Sequence, residues 1–488
     1  MIPPGLADIH RVLPELVWCA FGLLLMLLQP FVKNRQVLTF ISMLGAAIGT
    51  LLTFFTIPGS GFSGLIRSDD FSLFFHWLIG LVVFLVILAS DAYLEREKLD
   101  AAEFYALILF ATAGMGVLAS AQELLTAFIG LEMSSISSYV LAGYRRDSIK
   151  SSESAVKYFL LGSFATAFFL YGIALIYGAT GSTNLVVLAN AHPEGNLLRL
   201  GLSLLLVGLC FKVAAAPFQI WTPDVYEGAP TPVTALFAAG PKAATFALLL
   251  RIFSTMNAAT DFWFWSFWIL AVLTMFAGNL GALVQNNVKR MLAYSSIAHA
   301  GYTLVAFAAV TFLKKSDSEL GAAPAYAAVL FYLLGYALVK VGAFTILSDL
   351  GGQGERYLTL EDFAGLGTRQ PYAAAALSLF LLSLLGLPIT AGFFGKFYVF
   401  KAAVNSKLIW LAVLMAVNSI IGAYYYFRLI VVMYMREHKG PVPADAPAGL
   451  SLTSGMVVAV TVLATLYLGL LPNHILGLVL SHNLISSN

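Results

Sequence analysis

The sequence has few charged residues for its length. Asp, Glu, Lys and Arg make up 11% of the 488 residues, whereas 60% of the residues are hydrophobic. An ordinary soluble domain is about 25% charged and about 45–50% apolar. A water-soluble fold of this size cannot bury such an excess of apolar side chains, and disordered chains have the opposite composition. The composition therefore indicates a membrane protein that crosses the bilayer many times.

The sequence also lacks the patterns typical of several other classes. The formal net charge is only +2 and the basic clusters are short, so nothing indicates a nucleic-acid partner. The two cysteines, Cys19 and Cys210, lie far apart in apolar segments. They are expected to pack as small hydrophobic side chains and not to bind a metal. The sequence contains neither a cysteine set for an iron–sulfur cluster nor a glycine-rich nucleotide loop.

Fourteen mainly apolar segments are long enough to span a bilayer, which takes about 20 residues. The predicted spans are 13–30, 37–57, 71–90, 103–120, 122–142, 153–178, 198–217, 231–253, 263–284, 290–310, 325–348, 372–400, 408–434 and 452–471. The loops between them are too short for a separate soluble domain. We therefore predict an all-α polytopic membrane protein with about 14 transmembrane helices.

Lysine and arginine are concentrated in the loops that follow odd-numbered spans. Examples are Lys33 and Arg35 after the first span, Arg96 after the third, and Arg145 with Arg146 after the fifth. Short loops rich in these residues face the cytoplasm. With an even number of spans, both termini are then predicted on the periplasmic side of a bacterial inner membrane.

Two of the predicted spans contain residues that interrupt a helix. The seventh ends at Pro217 and is followed closely by Pro223, and the twelfth contains Gly386 and Pro388. Proline removes a backbone hydrogen bond, and the freed groups are tolerated at membrane depth only inside protein or beside water. A proline kink explains either segment alone, but paired broken helices in two halves of a chain are typical of a transport site.

Several ionisable residues lie within the predicted spans. Each charge at mid-bilayer costs roughly 2.5–3.5 kcal/mol, so these side chains are expected to face the interior of the helix bundle. A buried lysine that gains and loses a carboxylate partner can bind and release a proton, because burial and pairing act on its charge in opposite directions. The candidate proton-relay residues are Glu132, Lys157, Lys212, Lys242, His299, Lys340 and Lys396.

Three of these candidates also have a purely structural interpretation. Glu132 can serve as the partner of a structural ion pair. Lys157 lies near a span end, from which a lysine can reach the membrane surface. His299 can be a hydrogen-bonded residue between packed helices.

The sequence around these residues resembles the subunit N family of bacterial proton-pumping NADH:quinone oxidoreductase, respiratory complex I. The resemblance covers most of the chain and is most specific over FKVAAAPFQIWTPDVYEGAPTPV. The matching segments are 157–163, 171–174, 178–184, 211–233 and 391–397.

The resemblance implies a fold with two inverted five-helix repeats, each with one broken helix. The repeats would be 103–253, with its break near 217, and 263–434, with its break near 388. Transmembrane helices in 1–102 would precede them, and 452–488 would form the last helix and a short tail.

The resemblance also implies roles for the buried residues. Glu132 would pair with Lys212, Lys242 would be the central relay, and Lys396 would face the outward half-channel. His299 and Lys340 would lie between them. The protein would act as a subunit of an oxidoreductase without a redox site of its own. The lipid bilayer and other membrane subunits would surround it, and NADH, FMN, iron–sulfur clusters and quinone would be bound by partner subunits.

Two positions depart from the family pattern. The family often has histidine where this chain has Gln219, so no side chain titrates there in this protein. It often has proline where this chain has Ile389, which predicts a less sharp second break. Three alternative functions remain open from the sequence: a subunit of a multi-subunit sodium/proton antiporter, a membrane scaffold that pumps nothing, and a solitary substrate carrier.

Overall fold

The computed structural model describes residues 5–190, 196–255, 260–315, 322–437 and 449–481. In these ranges the chain is almost entirely α-helical, apart from short 3₁₀ turns and one small antiparallel pair of strands, β1 (Gly59–Gly61) and β2 (Ile66–Ser68). The helices are α1 (Leu6–Arg11), α2 (Leu13–Leu28), α3 (Arg35–Leu52), α4 (Asp70–Glu97), α5 (Ala101–Ser120), α6 (Leu124–Ala142), α7 (Ile149–Thr180), α8 (Leu185–Asn190), α9 (Asn196–Val213), α10 (Trp221–Gly228), α11 (Thr231–Thr255), α12 (Thr260–Leu283), α13 (Val288–Lys315), α14 (Ala323–Leu350), α15 (Leu366–Arg369), α16 (Pro371–Leu385), α17 (Ala391–Asn405), α18 (Ile409–Met435), α19 (Leu452–Leu470) and α20 (Pro472–Ser481).

The predicted membrane class is confirmed. Twelve helices in the described ranges are long and apolar enough to cross a membrane, and α2 and α16 are shorter apolar helices. Every predicted span coincides with a helix, and the twelfth is divided between α16 and α17. Several helices exceed the predicted bounds because their polar ends continue beyond the apolar segment, as α4 and α7 do.

The first interruption separates α9 from α10 over residues 214–220. The backbone groups that the break exposes have partners nearby. The Trp221 indole Nε1–H donates to the carbonyl oxygen of Phe211 at 2.8 Å, and the Ala216 N–H donates to Thr274 Oγ1 at 2.9 Å. Residues 214–216 of the break are thus buried and hydrogen-bonded within the protein, as irregular backbone at membrane depth requires, whereas Pro217 and Ile220 are exposed.

The second interruption separates α16 from α17 over residues 386–390. Helix α16 ends at Leu385 and is followed by Gly386, whose φ of +95° is accessible to glycine without steric cost. The Leu387 N–H then donates back to the carbonyl oxygen of Leu382 at 2.9 Å, which caps the helix. Ile389 has a φ of +75°, which the proline ring of the family pattern does not permit. The break is complete, and its sharpness does not depend on a proline at that position.

Three helices form the centre of the bundle. Helix α14 is buried from Ala325 to Leu350, and α11 and α13 are buried along almost all of their apolar length. The hydrophobic character of α14 extends around its whole circumference, as expected for a helix with no lipid-facing side. Three of the predicted relay residues, Lys242, His299 and Lys340, lie on these three helices, away from lipid.

Candidate proton pathway

Helix α13 presents a row of polar side chains to its neighbours. Ser295, Ser296 and His299 all lie in its buried middle. Lys242 of α11 reaches this row, where its Nζ donates to the carbonyl oxygen of Ser296 at 2.9 Å and to Ser296 Oγ at 3.1 Å. Lys340 of α14 reaches the same row, with Nζ 2.9 Å from the carbonyl oxygen of Leu292 and 3.0 Å from Ser295 Oγ. The structure therefore brings Lys242 and Lys340 to adjacent residues of one helix.

Tyr336 of α14 lies between the two lysines. The Nζ atoms of Lys242 and Lys340 are 5.8 and 5.7 Å from the centre of its ring. At these distances the ring face attracts an ammonium group. The Tyr336 hydroxyl is hydrogen-bonded to Ser296 Oγ, which also accepts from Lys242. The two lysines thus share one aromatic neighbour.

A chain of hydrogen bonds continues from Lys340 to His299. Ser295 Oγ, which accepts from Lys340, lies 2.6 Å from the Tyr426 hydroxyl. The Tyr426 hydroxyl is 3.2 Å from His299 Nε2, and His299 Nδ1 is 2.5 Å from the Tyr332 hydroxyl. Every intermediate member of this chain can both donate and accept a hydrogen bond. The geometry permits a proton to be passed along it.

Lys396 lies at the second helix break. Its Nζ donates to the Leu385 carbonyl oxygen at 2.9 Å and to Ser419 Oγ at 3.3 Å, and it is 4.6 Å from the centre of the Tyr302 ring. The Tyr302 ring packs edge-on against His299, with the ring centres 5.5 Å apart. A small cavity lies beside His299 and reaches the start of α17. Its lining includes His299, Tyr332, Tyr336, Ser383, Ala391 and Gly395.

Lys212 lies before the first break and contacts α6. Its Nζ donates to Ser135 Oγ at 2.7 Å and to the Tyr139 hydroxyl at 3.1 Å. Glu132 lies one helical turn before Ser135 and accepts from Thr166 Oγ1 at 2.9 Å. Among the ion pairs of the described residues, none joins Glu132 to Lys212 within 4.0 Å. Lys212 of α9 therefore contacts the helix that carries Glu132, but in this structure the two side chains do not form an ion pair.

The four interior lysines share an uncommon environment. In the described parts of the chain, the hydrogen bonds of Lys212, Lys242, Lys340 and Lys396 go to hydroxyl groups and backbone carbonyls. No carboxylate of the described residues lies within salt-bridge distance of these lysines. Buried charges in proteins normally have a charged partner, so these lysines lack the contact that would fix them in the ionised state.

Lys157 does not belong to this interior set. Its side chain is 39% exposed, and its Nζ lies 2.7 Å from Asp224 Oδ2 and 2.6 Å from Glu153 Oε1. Arg290 binds the other oxygen of Asp224 at 2.6 Å and Glu227 at 3.0 Å. Lys157 is thus part of a partly exposed ion-pair cluster at the end of α7.

The sequence did not reveal the hydroxyl groups that connect the lysines. Serine and tyrosine are ordinary residues of transmembrane helices, so Ser295 and Tyr426 are not conspicuous in the sequence. A usable signal does exist on α14, where Tyr332, Tyr336 and Lys340 follow at intervals of four residues in an otherwise apolar helix. This spacing places the three side chains on one face of the helix.

A second missed feature is the ion pair between Lys289 and Glu355. The side chains are 0% and 5% exposed, and Nζ lies 2.8 Å from Glu355 Oε2. The other oxygen, Oε1, accepts from the Tyr93 hydroxyl at 2.8 Å and from the Thr231 N–H at 2.7 Å. Burial raises the pKa of the Glu355 carboxyl, but Lys289, with Arg145 and Thr231, more than offsets burial and holds that pKa below its ordinary value. Glu355 lies in a polar loop, so its burial could not be expected from the sequence.

Within the described residues, no group of three or more His, Cys, Asp or Glu side chains is placed to hold a metal ion. The described residues thus contain twelve apolar helices long enough to cross a membrane and two shorter ones, with two breaks and a set of interior lysines. This combination defines an antiporter-like membrane subunit.

Comparison with known proteins gives the family. A family model described as NADH:quinone oxidoreductase/Mrp antiporter, TM, matches residues 121–422, which is more than half of the chain. The chain belongs to this family. NADH-quinone oxidoreductase subunit N 2 of Koribacter versatilis is 50% identical over 487 residues, covering 96% of each protein. The resemblance to subunit N is thereby confirmed.

Solved structures agree with this assignment. A chain of respiratory complex I from Thermus thermophilus is 38% identical, with a TM-score of 0.79 over 95% of this chain and 98% of that chain. A chain of the Mrp complex from Dietzia is 21% identical, with a TM-score of 0.83 over 97% of this chain and 96% of that chain. The second likeness concerns the fold alone.

Proposed function

We propose that this chain is a proton-translocating membrane subunit of a bacterial inner-membrane NADH:quinone oxidoreductase. The observation that carries the proposal is the continuous hydrogen-bond chain Lys340–Ser295–Tyr426–His299–Tyr332. The subunit contributes no redox chemistry. NADH, FMN, the iron–sulfur clusters and quinone belong to partner subunits, and quinone reduction there supplies the free energy for transfer here.

The proposed carriers are the interior lysines. A neutral amine accepts a proton from one side and, as an ammonium group, donates it to the other. Lys242 and Lys340 share the Tyr336 ring, so a proton on one lysine disfavours a proton on the other. This repulsion moves the charge onward to the hydroxyl chain and His299. Lys396, beside the second break and close to His299 through Tyr302, then forms the exit.

The proposed gate is the pair of Glu132 and Lys212. With the pair open, Lys212 binds Ser135 and Tyr139 while Glu132 binds Thr166. Closing the pair draws Lys212 away from its hydroxyl partners and stabilises its charge. Opening the pair removes the carboxylate and releases the proton toward Lys242. Alternation between the two arrangements couples events in neighbouring subunits to proton transfer in this one.

The proposed direction follows the charge of the loops. The cluster of Lys157, Asp224 and Arg290 lies at the end of α7 that is predicted to face the cytoplasm, and it is partly exposed. In this role Lys157 gathers protons at the entrance, and it is not one of the interior carriers. The assignment of 103–253 and 263–434 as inverted repeats is part of this proposal, since each contains one of the two breaks.

The test uses Tyr426→Phe, which removes the only hydroxyl between Ser295 and His299 in the observed chain. Tyr424→Phe on the same helix is the matched control, because Tyr424 is exposed. NADH-driven acidification of inverted membrane vesicles is measured together with NADH:quinone reductase activity. We expect fewer protons per NADH with Tyr426→Phe than with Tyr424→Phe, in complexes assembled to the same level.

Other outcomes would favour other functions. Equal proton yields in both variants would contradict a route through Tyr426. Normal pumping after loss of Lys212 and Lys242 as well would support a scaffold. Sodium-dependent proton exchange without NADH would support the antiporter alternative, whose fold is shared by the Dietzia chain.

A further inference from the structure

The N-terminal helices contain a buried acid–base pair that lies outside the residues matched by the family model. Glu15 is in the first turn of α2, and His76 is in the second turn of α4. The two residues are only 5% and 3% exposed. Glu15 Oε1 lies 2.6 Å from His76 Nε2. No step of the proposed proton pathway uses this pair.

The hydrogen-bond geometry fixes how many protons the pair holds. His76 Nδ1 lies 2.6 Å from the carbonyl oxygen of Ser72. A carbonyl oxygen can only accept, so Nδ1 carries a hydrogen. A second hydrogen must lie between Nε2 and Glu15 Oε1, since otherwise two lone pairs would face each other at 2.6 Å. The pair therefore holds one shared proton and has no net charge, whichever atom carries that proton.

The surroundings make the contact depend on this proton. The second carboxylate oxygen, Glu15 Oε2, is buried and has no hydrogen-bond partner in the described residues. The Trp18 ring stacks on His76, with the ring centres 6.1 Å apart. A Cβ on Gly116 of α5 would lie 3.1 Å from His76 Nε2, so α5 closes the remaining side. Removal of the proton leaves an uncompensated carboxylate in an apolar site, which is unfavourable.

The other titratable groups on the surrounding elements are paired with each other or remote. Asp69 at the start of α4 binds Arg251 of α11 through two hydrogen bonds of 2.9 Å. Cys19 lies one turn further along α2. Near the pair are also Asp8, paired with Arg11, and the exposed His10 in α1, Arg67 of β2, paired with Asp69, and the exposed Asp70 in α4. The groups at the opposite ends of α3, α4 and α5, and further along α11, are remote: Arg35, Asp91, Tyr93, Glu95, Arg96, Glu97, Glu103, Tyr105 and Lys242.

We propose that Glu15 and His76 form a binding site for one exchangeable proton, and that this proton holds the first turn of α2 against α4 and α5. Loss of the proton at alkaline pH releases α2 from the bundle. The site acts through the position of a helix and lies outside the lysine pathway. It can thus be tested without measuring proton pumping.

The test measures hydrogen–deuterium exchange of peptides covering 13–28 in the purified whole complex, corrected for the intrinsic effect of pH. In the wild type, exchange should rise by about tenfold from neutral to alkaline pH, the protection that one hydrogen bond to a charged group provides. Glu15→Gln supplies an amide N–H to His76 Nε2 without a titratable proton, so its exchange should stay low over the same range. Glu15→Ala should raise exchange at every pH.

Glu123→Gln is the matched control, because Glu123 is also a buried glutamate but caps α6. It should retain the wild-type pH profile of α2. A wild-type profile that is flat with pH would overturn the proposal, and so would identical profiles for the wild type and Glu15→Gln. Fast exchange of the α2 peptides in Glu15→Gln at neutral pH would also overturn it. The hydrogen bond that the amide supplies would then not be sufficient to hold α2 in place.

Discussion

The buried ion pair of Lys289 and Glu355 should respond differently to one mutation and to two. Loss of Glu355 alone should destabilise the protein, and a second mutation that also removes the charge of Lys289 should restore stability. Removal of one partner from a buried ion pair leaves the other charge uncompensated and costs about 3–5 kcal/mol. In Glu355→Gln, the side-chain oxygen still accepts from Thr231 and Tyr93, so most of the loss falls on Lys289. Lys289 has no exposed surface and would retain only the Ala229 carbonyl oxygen.

Replacement of both charges should restore stability. Lys289→Met fills a similar volume with apolar atoms, and neutral replacements of buried pairs are often tolerated without loss. The double variant Lys289→Met/Glu355→Gln is therefore expected to recover most of the about 3–5 kcal/mol that Glu355→Gln loses. The usual expectation for two core mutations is the reverse, because a second mutation normally adds to the damage.

The assay is thermal inactivation of the purified complex, with the amount of assembled complex in membranes as a second measure. Lys150→Met is the control for charge removal, since Lys150 pairs with Glu227 but is 72% exposed. An exposed pair is worth about 0–1 kcal/mol, so this variant should inactivate at the wild-type temperature. The reasoning is refuted if the double variant is no more stable than Glu355→Gln alone.

Three further predictions concern Lys212 in the proposed pathway, Lys157 at its proposed entrance, and the buried Glu355. Lys212→Ala should abolish most NADH-driven vesicle acidification, because it removes a proposed proton carrier. The complex should still assemble, because the partners of Lys212 are neutral hydroxyl groups and no buried charge is left unpaired. Lys157→Met should lower pumping only slightly and leave thermal stability unchanged, since its pair with Asp224 is partly exposed and worth about 0–1 kcal/mol. The pKa of Glu355 is lowered from its ordinary value of 4.5. Its contribution to stability is therefore complete above that value and lost as the pH falls through the lowered pKa. Glu355→Gln should remove this acid-dependent step from a plot of inactivation temperature against pH.

The sequence predicted the helices well because the bilayer imposes a simple rule on them. A segment of the right length and polarity must be helical, whatever its neighbours are. The two breaks were also predictable, since Pro217 and Gly386 act on their own helices. Interior lysines such as Lys242 were visible because charge is rare in these segments.

Contacts between distant segments could not be predicted in the same way. The bond between Ser295 and Tyr426 joins residues 131 positions apart, and that between Tyr93 and Glu355 joins residues 262 apart. Nothing local distinguishes these side chains from other serines, tyrosines and glutamates. The pairing of Glu132 with Lys212 stays a prediction, because each has a different partner in this structure.

Two classes of buried lysine occur in the part of the chain that the structure describes, and they differ in their hydrogen-bond partners. Lys289 binds a carboxylate, which stabilises only the ammonium form, so we interpret its role as structural. Lys242 and Lys340 bind hydroxyls and carbonyls. A hydroxyl can accept from an ammonium group and can donate to a neutral amine, so it favours neither state strongly. A proton carrier must visit both states within one cycle. Hydroxyl groups around a lysine therefore suit a carrier better than a carboxylate does, and for this reason we propose that Lys242 and Lys340 belong to the pathway and Lys289 to the scaffold that holds it.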